Sequence, residues 1–233
     1  GAKNECLDLA SQKAHAYEEL VHWTVRGLVD LDCKSPDFWK LYDCRKALLN
    51  QMEVSDDEVL DYCRYIKCKK RDALYYLTDS HRLEKELILE CIADYSGSFS
   101  YDELRSVLQH VYPDLYAYLM PYKFNAALLN QYFENYKFCK LENRITPEFY
   151  SLVEEQAVKR EYNLILPARS EKIESVDMSG AFAYFIDAMG VEFLGYISEK
   201  SKQKKLLPKI TVCRSELPSI TSRNKEFLDV FAA

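Results

Sequence analysis

Apolar positions recur every three to four residues from the N-terminus to about residue 165, and few β-branched runs interrupt them. That period belongs to helices with one buried stripe. Asn4 to Leu31 reads as one long helix. Ser35-Pro36-Asp37 supplies an N-cap, a first-turn proline and a favourable acid for the next. Ser55-Asp56-Asp57-Glu58 is a capping box opening a third helix, in which Val59, Leu60, Cys63 and Ile66 share a face. After a turn at Thr78 to Ser80, Leu87, Ile88, Cys91 and Ile92 mark another helix, stopped at the SGSFS segment around Gly97. Ser100 and Glu103 repeat the capping box ahead of Leu104, Val107, Leu108 and Val111. Pro113 and Pro121 punctuate a Tyr-rich stretch, NAALLNQYFENYKFC continues as helix, and Thr146-Pro147-Glu148 caps a last one running towards Tyr162. About seven helices with short connections are expected over residues 1–165.

The pattern changes near Pro167. Residues 166–180 are polar, follow no clear period and read as a connector. Beyond them, Ala181 to Asp187 is a near-continuous apolar run ending in an acid, the form of a strand covered on both faces. Val191, Leu194 and Ile197 return to helical spacing, Lys209 to Cys213 reads as a second strand, and Pro218 to Phe231 as a turn entering a second helix. The expected fold class is therefore mainly α: a helical domain (1–165), a connector (166–180), and one right-handed βαβ unit beginning an incomplete α/β domain (181–233).

Composition narrows the function classes. The chain has 233 residues, 48% hydrophobic and 13% aromatic, enough for a packed core. A net charge of -6 with pI near 5.4 argues against a surface built throughout for nucleic acid. Eight cysteines without a CxxC pair read as thiols in a reducing compartment, which points to the cytoplasm. No apolar run approaches the roughly 20 residues of a membrane span. The chain starts at Gly1 rather than Met, which reads as an expression remnant with natural sequence upstream.

In parallel α/β sheets, chemistry collects at the carboxyl ends of strands. Here one strand ends in Asp187, and the next leads into the loop Ser215 to Thr221. A carboxylate for a divalent ion beside a hydroxyl at a helix start is the kernel of a metallophosphoesterase. The pair FIDAMGVEF and ELPSITSRNKEF resembles the start of the PglZ domain, a branch of the alkaline phosphatase superfamily found in bacteriophage-exclusion (BREX) defence systems. The resemblance is to the phosphatase-type component, helical region included. It implies that Asp187 is the first metal ligand, that Thr221 is a nucleophile that also touches metal, and that Asn224 places its amide on a phosphate oxygen. Ser219 is the alternative nucleophile. The implied cofactor is a divalent metal, zinc or manganese, in the intact protein only. Superfamily members complete two metal sites with Asp and His residues downstream, whereas His15, His22, His81 and His110 all lie upstream. The chain as printed is thus expected to be an N-terminal part, catalytically silent and without metal. Implied partners are other phage-defence proteins and an unidentified phosphoester, with no membrane. The rival readings are a non-catalytic helical assembly module and a DNA-contacting accessory domain.

Other clusters have plainer explanations. His15, Glu18, Glu19 and His22 have metal-compatible helical spacing but read as surface pairs. The basic run Lys67, Lys69, Lys70 and Arg71 sits among acids and reads as a solvated face, with a nucleic-acid contact as the weaker alternative. The eighteen tyrosines are spread through helices at apolar positions, and most read as core or half-buried packing with an exposed hydroxyl. Lys200, Lys202, Lys204 and Lys205 suit the C-terminal end of a helix.

Overall fold

The computed structural model describes residues 3–173, 175, 179, 180, 182, 184, 186, 189–216 and 223–225. The chain is mainly helical and divides into two compact units, Gly1–Ala117 with Lys140–Arg144, and Tyr118–Cys139 with Ile145–Ala233.

The first unit opens with α1 (Glu5–Ser11) and α2 (Tyr17–Val25), so the single helix expected over Asn4 to Leu31 is broken. An unbroken helix of that length would span roughly 40 Å and could not fold back on itself. With the break, α1 and α2 pack on one another and both lie against α3 (Phe38–Leu49). The Asn4 side chain caps α1 at Leu7 N and donates to the Cys44 carbonyl of α3 at 2.9 Å. His15 N donates to Glu19 Oε2 at 2.7 Å, which serves the start of α2. Gly27 lets the two approach: a Cβ there would stand 2.8 Å from Cys6 Sγ. The segment Ser35-Pro36-Asp37 makes no side-chain cap, and α3 begins at Phe38 instead.

Next come α4 (Asp56–Lys67), a 3-10 helix over Lys70–Tyr76, α5 (Arg82–Asp94) and α6 (Tyr101–Val111). Both predicted capping serines act as expected, Ser55 accepting from Glu58 N and Ser100 from Glu103 N. The buried faces are those predicted in α5 and α6. In α4, Leu60 is exposed and Tyr62 takes the inward position. Gly97, at φ 76°, supplies the left-handed turn after α5.

α7 (Pro113–Leu119) spans the boundary between the units, as does α8 (Ala127–Leu141). The second unit continues with α9 (Pro147–Lys159), capped by Thr146 at Phe149 N. α9 stops at Arg160, whose φ of 50° breaks the run that the sequence carried to Tyr162. Short helices α10 (Tyr162–Ile165) and α11 (Arg169–Ile173) follow. Buried Lys137 of α8 donates to the Tyr118 and Met120 carbonyls at the end of α7, at 3.0 and 2.8 Å. Positive charge is favourable at such a C-terminus.

The helix expected between the two strands is present, as a 3-10 turn (Val191–Phe193) leading into α12 (Leu194–Gln203). The βαβ start itself is not seen among the described residues. Lys209 to Cys213 forms no ladder, because a strand needs a neighbouring backbone to pair with along its length. The pairing found is one parallel bridge, Ala168 to Arg214, with Arg169 N and Arg214 N donating to Arg214 O and Pro167 O. Of the first predicted strand, Phe182, Tyr184 and Ile186 are described and 89%, 87% and 66% exposed, without regular structure. Ala181, Ala183, Phe185 and Asp187 lie outside the described residues.

Candidate functional site

Of the three residues assigned to chemistry, Asp187 and Thr221 lie outside the described residues, as does Ser219. Asn224 is described and buried. Its Oδ1 accepts from Glu216 N at 2.7 Å and its Nδ2 donates to Glu216 O at 3.1 Å. The amide thus mimics a backbone pairing with Glu216. Nearby, Arg214 Nη1 donates to Asn163 O at 2.8 Å and reaches Leu166 O at 3.5 Å. The structure therefore engages the Asn224 amide with backbone.

Among the described residues no three His, Cys, Asp or Glu side chains gather where a metal ion could sit. His15 precedes α2 rather than sharing it with Glu18, Glu19 and His22. His22 Nδ1 instead meets Glu58 Oε1 at 2.9 Å, and Arg26 Nε approaches the same oxygen at 3.8 Å. The eight cysteines are free thiols, with Cys6, Cys63, Cys91 and Cys139 buried and Cys68 exposed.

The basic run is largely occupied. Lys67 pairs with Glu90 at 2.8 Å, Arg71 with Glu103, and the Lys69 ammonium lies 4.4 Å from the centre of the Tyr76 ring. Arginine and lysine spent on carboxylates are poor phosphate anchors.

The strongest polar constellation is one that sequence reasoning missed. Arg45 on α3 has no exposed surface, and its guanidinium reaches Val25 O at 2.9 Å, Tyr76 O at 3.4 Å and Glu84 Oε1 at 3.3 Å while lying 4.5 Å over the Tyr62 ring. Glu84, also buried, accepts from Thr78 N at 2.6 Å. Three buried tyrosines extend the network: Tyr42 donates to Leu77 O, Tyr62 to Tyr76 O, and Tyr76 to Leu31 O. These three hydroxyls are turned inward rather than exposed. Burial pushes the Tyr42 and Tyr62 phenols well above their usual range. Burial opposes the Arg45 charge, and the buried Glu84 carboxylate beside it favours the protonated guanidinium. The cluster locks α2, α3, α4, the 3-10 helix and α5 together, and nothing in it is left open for a substrate. A signal was present in the sequence: Phe38, Tyr42, Arg45 and Leu49 share one helical face, as do Glu84, Leu87, Ile88 and Cys91, so a charge sits on each core stripe.

Residues 1–95 match the family model described as a domain of unknown function (DUF7863). The match takes in α1 to α5 with the Arg45–Glu84 cluster, and does not reach Asp187, Thr221 or Asn224. No curated protein and no solved structure matches the chain. Among the described residues no helix is long and apolar enough to cross a membrane.

Proposed function

We propose that this chain is the N-terminal part of a PglZ-like, metal-dependent phosphatase or phosphodiesterase of a bacterial phage-defence (BREX) system, working in the cytoplasm with other components of that system. The observation that carries the reading is the sequence pattern of an acid ending an apolar run, Asp187, followed by Pro218-Ser219-Ile220-Thr221 and Asn224. One structural feature supports it: a helix, α12, stands between the two predicted strands. Eight free thiols suit a reducing compartment.

Zinc or manganese would supply Lewis acidity to a phosphoester and favour the alkoxide of a nearby hydroxyl. The described residues do not make its site, since no ligand group gathers among them and Asn224 is engaged with Glu216. Asp187 and Thr221 are therefore proposed from the sequence pattern, and further Asp and His ligands are required to complete two metal sites.

The test uses the protein encoded by the whole gene, assayed on a generic phosphodiester with zinc or manganese. Thr221→Ala is expected to remove nearly all turnover while Ser219→Ala retains most of it. Full turnover in Thr221→Ala would reject the nucleophile. A second reading, a non-catalytic assembly module, is favoured by exposed apolar side chains on the second unit, among them Val158 and Leu164. Absence of any metal-dependent hydrolysis by the whole-gene protein would favour it.

A further inference from the structure

Between α1, α2 and the turns after α2 lies a cleft of about 440 Å³, entirely within the first unit. Its size falls in the range of small-molecule sites, roughly 300–1,000 Å³. Trp23 and Arg26, three residues apart, share one face of it. The Lys13 ammonium lies 4.6 Å from the centre of the indole ring. Among the described residues neither Lys13 nor Asp30, which also lines the cleft, has an ion-pair partner, whereas most charges of this unit are paired. Leu9 and Tyr65, both exposed, complete the lining.

An indole face beside an exposed ammonium that has no carboxylate partner among the described residues is a place where a planar ring can stack while the cation meets an anion. Asp30 adds an acceptor for ring or sugar donors. We infer that this cleft binds a single nucleoside phosphate, with the base on Trp23, the phosphate on Lys13, whose ammonium has no carboxylate partner among the described residues, and Asp30 accepting from the base or ribose. The reading is independent of the phosphoesterase proposal and assigns a ligand to the region matched by the family of unknown function. A long nucleic acid fits less well, because the chain is acidic overall and Lys67 and Arg71 of the basic run are paired with carboxylates.

AMP, GMP, CMP and UMP are titrated separately into the full chain, with calorimetry for affinity and saturation-transfer NMR for ring contact. At least one is expected to bind saturably at millimolar concentration or below. The matching nucleoside, lacking phosphate, is expected to bind at least tenfold more weakly. Lys13→Gln, an exposed position whose thermal midpoint should stay unchanged, is expected to cost a similar factor. Trp23→Leu should remove the saturation transfer to the base. No saturable binding, equal affinity for nucleoside and nucleotide, or full affinity in folded Lys13→Gln would overturn the inference. So would tighter binding of a single-stranded oligonucleotide than of any mononucleotide.

Discussion

In the first unit, charged and phenolic groups are carried into the core and every one of the central five finds a partner there: Arg45, Glu84, Tyr42, Tyr62 and Tyr76. In the second unit, large apolar side chains stay outside, with Leu164 90% and Leu207 98% exposed alongside Phe182 and Tyr184. The contrast separates two ways of using sequence. The first unit spends its unusual residues on holding five helical segments in one arrangement, and a charge at a core position costs stability unless all its hydrogen bonds are made. The second unit keeps apolar surface available, and it also contains every residue assigned to phosphoester chemistry. Stability and candidate chemistry therefore sit in different parts of the chain.

The sharpest way to break this comparison is Glu84→Ala. It leaves the Arg45 guanidinium buried without its carboxylate and orphans Thr78 N. Removing one partner of a buried pair costs about 3–5 kcal/mol. Leu164→Ala, at an exposed position of α10, should change stability by less than about 0.5 kcal/mol. Urea titration followed by circular dichroism measures both. A loss below about 1 kcal/mol in Glu84→Ala would mean that the cluster is solvated and not a lock.

A smaller effect in the first unit is read by pH. Burial pushes the Cys63 thiol up to about 12 and those of Cys6 and Cys91 to about 11, from an ordinary value of 9.0. A group whose folded pKa is raised contributes stability that is complete below its unfolded pKa and is lost as pH climbs through the folded one. The first unit, which contains all three thiols, should thus hold its melting temperature up to about pH 9 and lose it progressively above. Cys63→Ala and Cys91→Ala together should flatten that fall. Ellman's reagent at neutral pH should titrate exposed Cys68 first and leave these three unreacted until the protein unfolds. Prompt reaction of all three in the folded protein would contradict the packing.

How much of this was legible in the sequence differs by segment for physical reasons. The caps of α4, α6 and α9 and the buried stripes of α5 and α6 were readable because cap and period are local signals, whereas the α4 stripe was read with Leu60 in the place that Tyr62 takes. The break between α1 and α2 was not, since Gln12 to Ala16 contains no glycine or proline and the interruption serves packing on α3. The Arg45–Glu84 pair bridges residues 39 positions apart, beyond any local pattern. At the candidate site, the Asn224 side chain could be picked out by type, but its tie to the Glu216 backbone depends on chain closure. The predicted strand at Lys209 to Cys213 had the right composition, yet a strand is made by its neighbours, and among the described residues the one bridge, Ala168 to Arg214, falls just past its end.

The smallest expected effect sharpens the comparison most finely, because the same device occurs in both units. Ser100 caps α6 in the first and Thr146 caps α9 in the second, each accepting from the backbone N–H three residues on. Substitution by alanine costs about 1 kcal/mol in either place. The consequences should differ. α6 buries Leu104, Val107, Leu108 and Val111, so its cap is coupled to the packed core and Ser100→Ala should lower the main urea midpoint. α9 buries only Phe149, Leu152 and Gln156 along thirteen residues. Its opening should be local, and Thr146→Ala should appear as faster hydrogen exchange of amides along α9 with little change in that midpoint. Equal shifts of the midpoint by both substitutions would show that the second unit is as tightly integrated as the first.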